Sequence, residues 1–388
     1  MSIMKQAKIR VLHILVCLGS GGVETLLLRW YKKIPNNIHF DFLVLHKEIH
    51  DKYVEERGSL LHVLPKNIAY KPWKHSEYVE FLVSKYGYDV VHFHRFAFGG
   101  SIMKRLKRCG VSKRIVHSRH TMFQDKSFFK RALYYPYHYI FNRLFLLKYA
   151  THILACSNDA GIFLMGPFWK YLSKCVFLPN GVPIEEFREL MSGSDKKKLC
   201  ARYGIPFDAI VVGHFGRLES VKNQKLLLDA FADLSKRDSR YWLFIGGDGN
   251  LREYLSSYAL KLGISDRLCM PGYCANAPEL YGSLFDVFCL PSIAEGFGNV
   301  IIEATAAGLF SVISDIITKD ITDTFAERVR TVSLKADPTE WANALEYGVS
   351  KKMSQEDGIR IIQNSPFTLD SQLNSLVEIY SRFDTNSV

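Results

Sequence analysis

Long apolar runs, paired cysteines, internal repeats and low-complexity tracts are all missing from this 388-residue chain. Arg143 and Lys148 interrupt its longest hydrophobic stretch, so no segment supplies the roughly 20 consecutive apolar residues that a bilayer-spanning helix needs. The N-terminus lacks the apolar core and cleavage site of a secretory signal, which predicts a cytosolic protein. Eight cysteines at positions 17, 109, 156, 175, 200, 269, 274 and 289 form no Cys-x-x-Cys pair and read as reduced core thiols. His92 and His94 form a His-x-His pair, but no cysteine or carboxylate is spaced to complete a metal site, so no metal is expected.

Negative charge is scarce in one half only. Residues 1 to 190 carry 29 Lys and Arg against 14 Asp and Glu, a net of +15, and the remainder carries 21 against 25, a net of −4. A second half without net positive charge, and with no nucleic-acid motif, argues against a nucleic-acid partner. A basic first half suits an anionic membrane surface. Phe123 to Tyr149 interleaves Lys126, Lys130, Arg131, Arg143 and Lys148 with Phe128, Phe129, Tyr134, Tyr135, Tyr139 and Phe145. That mixture can rest among lipid headgroups, each cation adding about 1 kcal/mol. A buried helical hairpin with a solvated edge explains it equally well.

What is present is an alternation of strand and helix patterns along the whole chain, the mark of doubly wound parallel sheets. The length and the 48% hydrophobic content suit two cores. The expected division is 1–182, 183–366 and a C-terminal helix from 367 onward, in which Leu373, Leu376, Ile379 and Tyr380 form an apolar stripe.

The most informative segment runs from Ser292 to Gly308, Ser-Ile-Ala-Glu-Gly-Phe-Gly-Asn-Val-Ile-Ile-Glu-Ala-Thr-Ala-Ala-Gly. It follows the apolar run Leu284 to Leu290, read as a buried parallel strand, and a helix is predicted to start near Asn299. Free amides at that N-terminus suit a diphosphate, and Gly296 and Gly298 let a ligand approach the main chain. Glu295 in the loop can accept from sugar hydroxyls, and Glu303, one turn into the helix, can reach a ribose. A helix cap followed by a core helix is the plainer reading of this segment taken alone. Upstream, Gly213-His214-Phe215-Gly216-Arg217-Leu218-Glu219-Ser220-Val221-Lys222-Asn223 reads as strand, loop and helix. Ser220 is a plausible N-cap, and Leu227, Ala230, Phe231 and Leu234 share one helix face. Arg217 and Lys222 then flank a loop at the carboxyl end of a strand, where open α/β sheets bind ligands. Together they can meet a departing pyrophosphate, preorganised cations there being worth typically about 3 kcal/mol each.

These two segments resemble the Glu-x7-Glu and Gly-Arg-Leu…Lys-Asn motifs of glycosyltransferase family 4, with Glu295 and Glu303 in the glutamate positions. Gly21-Gly22-Val23-Glu24 is similar to that family's N-terminal glycine loop. Leu178 to Val182 with Phe187 resembles its domain crossover, and Phe244 to Gly249 a later strand and loop. The resemblance implies a GT-B fold, two Rossmann-like doubly wound parallel-sheet domains facing across a cleft. The acceptor would enter over the first domain, and the second would hold the nucleotide sugar. It implies donor contacts from Gly21, Gly22, Arg217, Lys222, Glu295, Gly296, Phe297, Gly298, Asn299 and Glu303, with catalytic roles for Arg217, Lys222, Glu295 and a histidine. That histidine falls at His120 or at His117; we assign it to His120. One departure is Phe310, where the family usually has proline, which puts the following loop in question.

The implied activity is retaining transfer of a hexose or N-acetylhexosamine from a nucleotide-diphosphate sugar to a glycan acceptor. By a narrower resemblance to capsule, exopolysaccharide and O-antigen enzymes, that acceptor is polyprenyl-diphosphate-linked. No cofactor or metal is implied, since Arg217, Lys222 and the helix amides take the phosphate charge. Alternatives are a GT-B sugar-nucleotide epimerase, a catalytically silent partner subunit or a glycosidase. An NAD-dependent oxidoreductase would need the third glycine of a dinucleotide motif where this chain has Glu24.

Overall fold

A computed structural model describes residues 8–19, 21–68, 71–94, 99–121 and 137–382. Lys126, Lys130, Arg131 and the aromatic residues 123–136 of the expected membrane-facing segment lie outside the described residues. The chain divides into two compact units, residues 1–180 with 370–388, and residues 181–369.

Among the described residues, the first unit carries a seven-stranded, all-parallel sheet in the order β3-β2-β1-β4-β5-β6-β7. Its strands are β1 Ile9–Ile14, β2 Ile38–Val44, β3 Leu61–Val63, β4 Val90–Phe93, β5 Lys113–Ser118, β6 His152–Ala155 and β7 Cys175–Phe177. The second unit carries a six-stranded parallel sheet, β10-β9-β8-β11-β12-β13. Here the strands are β8 Ile210–Phe215, β9 Tyr241–Gly246, β10 Leu268–Gly272, β11 Val287–Leu290, β12 Ser311–Ser314 and β13 Val329–Val332. In both sheets the chain winds outward from the first strand and then reverses, so β1/β4 and β8/β11 are neighbours from opposite directions of winding. The loops leaving such a pair diverge and open a crevice at the carboxyl ends of the strands. This is the doubly wound architecture expected of the GT-B fold.

Helices cover the sheets because their apolar stripes have nowhere else to go. Leu227, Phe231 and Leu234 of the helix Gln224–Arg237 pack with Trp341, Ala342 and Leu345 of the helix Pro338–Val349 in one buried cluster. The C-terminal helix Leu369–Ser381 belongs to the first unit. Leu373, Leu376 and Tyr380 are buried there, and Ile379 is half-buried. Trp30 Nε1 donates to Gln372 Oε1 at 2.9 Å, and the Tyr380 hydroxyl lies 2.6 Å from His92 Nδ1.

Two local expectations change. Ser220–Lys222 is a 3-10 turn, and the following helix starts at Gln224 from Asn223, which holds a left-handed φ of 54°. Asparagine tolerates that region, so the reversal sits on Asn223 rather than on a Ser220 cap. The apolar run from Leu284 becomes a strand only at Val287, because Leu280–Leu284 closes a π-helical turn. Phe310 fits without a proline. It is buried, edge-on to Tyr347, and a β-carbon on Gly348 would lie 3.0 Å from its ring, so that glycine makes its room.

Candidate functional site

The loops after β8 and β11 face each other because their strands are adjacent, Val212 pairing with Val287. The Ile293 amide donates to the Val221 carbonyl at 2.8 Å and ties the two loops together. Across that tie Lys222 Nζ meets Glu295 Oε1 at 2.5 Å, and Ser292 Oγ donates to the same oxygen at 2.6 Å. Both charged side chains are mostly withdrawn from water, 17% and 13% exposed. A charge-assisted hydrogen bond in such surroundings is roughly twice as strong as a neutral one. Lys222 is therefore held at the loop mouth with its charge balanced by Glu295.

The glycines have structural reasons to be there. Gly298 caps the helix Asn299–Ala306 with φ 97°, a conformation that any β-carbon would strain. On Gly247, φ 132°, a β-carbon would collide with the Gly216 carbonyl, so the loop after β9 presses directly on the loop after β8. Glu303 lies on the helix Asn299–Ala306, half-buried. Gly296 and Asn299 lie in the same turn, so the second motif's members are gathered at one edge of one sheet.

Two predicted residues stand differently. Arg217 is 60% exposed and pairs with Glu219 at 3.0 Å, on the same loop as Lys222 but turned outward. Phe297 is 2% exposed and sits edge-on to Phe367 at 5.3 Å. Its ring anchors the loop in the core, which leaves only its backbone for a ligand.

A buried support lies under the Lys222 loop that the sequence reading missed. His214 Nδ1 donates to the Cys289 carbonyl at 2.9 Å, which leaves Nε2 as the acceptor. Gln224 Nε2 lies 3.3 Å from that atom and donates to the Arg217 carbonyl at 2.9 Å. Burial, helped by the charge of Lys222, pushes the His214 pKa down to about 4, so the imidazole stays neutral and the tautomer fixed. A signal existed in the spacing: His214 and Gln224 bracket the motif loop on its two flanking elements.

In the first unit the glycine turn opens the helix Gly22–Lys33 after β1. A β-carbon on Gly21 would run into the Glu24 carboxylate, so Glu24 folds back over the turn. That carboxylate stands where a dinucleotide pyrophosphate would need bare amides. His120 is half-buried on the loop after β5. His117 is a separate matter, because it belongs to a buried cluster with His13, His92 and His94.

Arg119 organises this cluster. Its Nε lies 3.3 Å from His94 Nδ1, its Nη2 3.3 Å from His117 Nδ1, its Nη1 3.0 Å from Asn180 Oδ1, and its guanidinium lies 5.1 Å from the Trp30 ring centre. An arginine only donates, so both Nδ1 atoms accept. His94 Nε2 then donates to His13 Nδ1 at 3.0 Å, and His92 Nε2 donates to His117 Nδ1 at 3.2 Å while His92 Nδ1 accepts from Tyr380. Four neutral tautomers follow from one cation. Burial and the charge of Arg119 push the His13 pKa down to about 3, and burial above all lowers those of His92, His94 and His117. His92 and His94 stack with ring centres 4.1 Å apart, and His13, His92 and His94 each bring one ring nitrogen within 4.8 Å of the others, all three buried.

Comparison with known proteins places this geometry. Residues 195–364 match the family profile described as glycosyl transferases group 1, and residues 20–186 match glycosyltransferase family 4. EpsF of Bacillus subtilis, a protein classed as a glycosyltransferase with no reaction in its name, is 29% identical over 97% of this chain and 98% of its own. The Escherichia coli UDP-Gal:alpha-D-GlcNAc-diphosphoundecaprenol alpha-1,3-galactosyltransferase is 27% identical over 80% of each chain. Among solved structures, a glycosyltransferase from Rickettsia africae superposes with a TM-score of 0.76 at 19% identity, covering 98% of this chain and 100% of its own. Anabaena HepE, in complex with UDP and glucose, gives 0.75 at 18% identity, covering 96% and 99%.

Proposed function

Because the chain belongs to family 4 of the glycosyltransferases, enzymes built on the GT-B fold, we propose that its second unit binds a nucleotide-diphosphate sugar at the Lys222–Glu295 loops. The observation that carries this reading is the 2.5 Å pair between Lys222 and Glu295, which joins both motifs at the sheet's switch point. The diphosphate takes the Lys222 ammonium and the amides of the turn from Gly296 to Asn299, where the helix adds the positive end of its dipole. Glu303 takes the ribose and Glu295 a sugar hydroxyl. Arg217, on its exposed loop, exchanges its pairing with Glu219 for the phosphate.

Transfer proceeds with retention. Charge gathers on the departing phosphate oxygen as the glycosidic bond breaks, and a fixed cation there lowers the barrier without reorganising. The acceptor hydroxyl attacks from the same face and passes its proton to that oxygen, so neither glutamate acts as a nucleophile and no metal is required. His120 is the histidine to which the sugar-side role falls. By the family resemblance Gly21 and Gly22 also contact the donor. The donor is a UDP-hexose or UDP-N-acetylhexosamine and the acceptor a polyprenyl-diphosphate-linked glycan of surface polysaccharide synthesis. The reaction named for the E. coli relative and the UDP and glucose of the HepE complex support that choice. The enzyme works at the inner face of the cytoplasmic membrane, held by the basic first half; among the described residues no helix is long and apolar enough to cross it.

A panel of UDP, GDP and TDP sugars scored by thermal stabilisation, then by nucleoside diphosphate release, tests the reading. Glu295→Ala and Lys222→Ala should each abolish turnover in a folded protein, and activity surviving both would overturn the site. Vesicle binding by the Lys130→Glu, Arg131→Glu double variant tests the membrane contact, and undiminished binding to anionic liposomes would remove it.

A further inference from the structure

At the carboxyl edge of the first unit's sheet, away from the Lys222 loop in sequence and unit, Cys17, His46 and Glu48 bring three metal-ligating atoms within 4.8 Å of one another. Cys17 comes from the loop after β1, and His46 and Glu48 from the loop after β2. The two loops are tied by backbone bonds from Leu45 to the Val16 carbonyl at 2.8 Å and from His50 to the Leu18 carbonyl at 3.2 Å. Gly19 fits between them: a β-carbon there would touch Cys17 Sγ at 3.5 Å and Glu48 Cγ at 3.8 Å.

We propose that Cys17, His46 and Glu48 bind a zinc-class divalent cation that fastens the loop after β1 to the loop after β2, beside the glycine turn. The donor set is one thiolate, one imidazole and one carboxylate, the three ligand types zinc takes, and an open zinc site completes its tetrahedron with water. The spacing fits. Zinc bonds of about 2.0–2.3 Å in a tetrahedron put ligand atoms roughly 3.3–3.6 Å apart, and His46 Nε2 lies 3.7 Å from Glu48 Oε1.

A second observation concerns charge. This corner gathers carboxylates: Glu24 and Asp51, besides Glu48, lie near Cys17. Asp51 is 5% exposed, its Oδ2 accepts from the Glu48 amide at 2.9 Å, and among the described residues its Oδ1 has no partner. A cation brought to Cys17 and Glu48 answers that accumulated charge and converts the thiol to thiolate. The nearest lysine in sequence, Lys47, points to Glu55 at 4.0 Å.

The chain, freed of metal with a chelator and kept reduced, is titrated with cobalt(II) and then with zinc. One equivalent should bind, with the near-ultraviolet charge-transfer absorption of a cobalt thiolate, and zinc should displace it. Cys17→Ser should remove the band. His46→Ala and Glu48→Gln should weaken binding by about tenfold or more. The side chains of His46 and Glu48 are exposed, so these variants keep the fold, which circular dichroism verifies. No band in folded wild-type protein, or a band that persists in Cys17→Ser, overturns the proposal. The measurement uses no sugar nucleotide, so its outcome is independent of the transferase reading.

Discussion

Lowering the pH from 7 to 5 should unfold the first unit well before the second. Twelve of the thirteen histidines lie outside residues 181–369, and four of them, His13, His92, His94 and His117, are held neutral in the fold by burial and by Arg119. In the unfolded chain each titrates near about 6.5. Between pH 7 and 5 the unfolded state therefore takes up protons that the folded state refuses, and stability falls as pH falls. The loss is about 2 kcal/mol per histidine over that interval, or about 8 kcal/mol for the four. That is comparable with the whole stability of an ordinary domain, about 5–15 kcal/mol. The second unit has only His214, lowered to about 4, and should lose about a quarter as much. Ordinary carboxylates remain ionised over this range and contribute little. Urea titrations at both pH values, resolved by peptide-level hydrogen exchange, report each unit separately. His13→Gln, which keeps an acceptor for His94, should recover about 2 kcal/mol of the loss. Equal shifts of the two units' midpoints would refute the argument.

Lys222→Met should lower kcat/KM by about 10²–10³, read as nucleoside diphosphate release, and a change below about threefold would remove Lys222 from the phosphate site. Tyr380→Phe leaves His92 Nδ1 without its donor in a dry interior and should destabilise the first unit by about 1–3 kcal/mol in denaturant titrations. Gly348→Ala crowds Phe310 and Val287 and should destabilise the second unit by about 1–3 kcal/mol, an effect that a simultaneous Phe310→Leu relieves; an unchanged midpoint would contradict the packing described. Gln224→Leu removes the donor to the Arg217 carbonyl and should raise the KM for the sugar nucleotide more than it lowers kcat, since it loosens the loop and not the chemistry.

The architecture was legible because its signals are local. Buried parallel strands read as short apolar runs, and Leu227, Ala230, Phe231 and Leu234 announced a covering helix. The Lys222 and Glu295 loops were legible for the same reason, each motif being contiguous. What escaped notice was assembled over long sequence separations. His13, His92, His94 and His117 come from three strands, and Tyr380 from the far end of the chain, so no spacing predicts that one arginine will set their tautomers. Phe297, between two glycines, reads as a ligand contact in sequence, and only its packing against Phe367 shows that its ring lies in the core. Phe310 looked like a defect until Gly348, 38 positions later, supplied its space.

The return of the last helix to the first unit has a consequence for how the protein is made. Residues 181–369 are an insertion whose two ends lie side by side, Val182 bridging Thr368 in parallel. The inserted unit holds all the strands of its own sheet and needs no later residue to complete it. The first unit cannot close until Gln372 and Tyr380, which cover Trp30 and His92, have been made. Until then a nascent chain carries an unsealed histidine-lined interior, and a product truncated before residue 369 should be recognised by quality-control proteases through that open half.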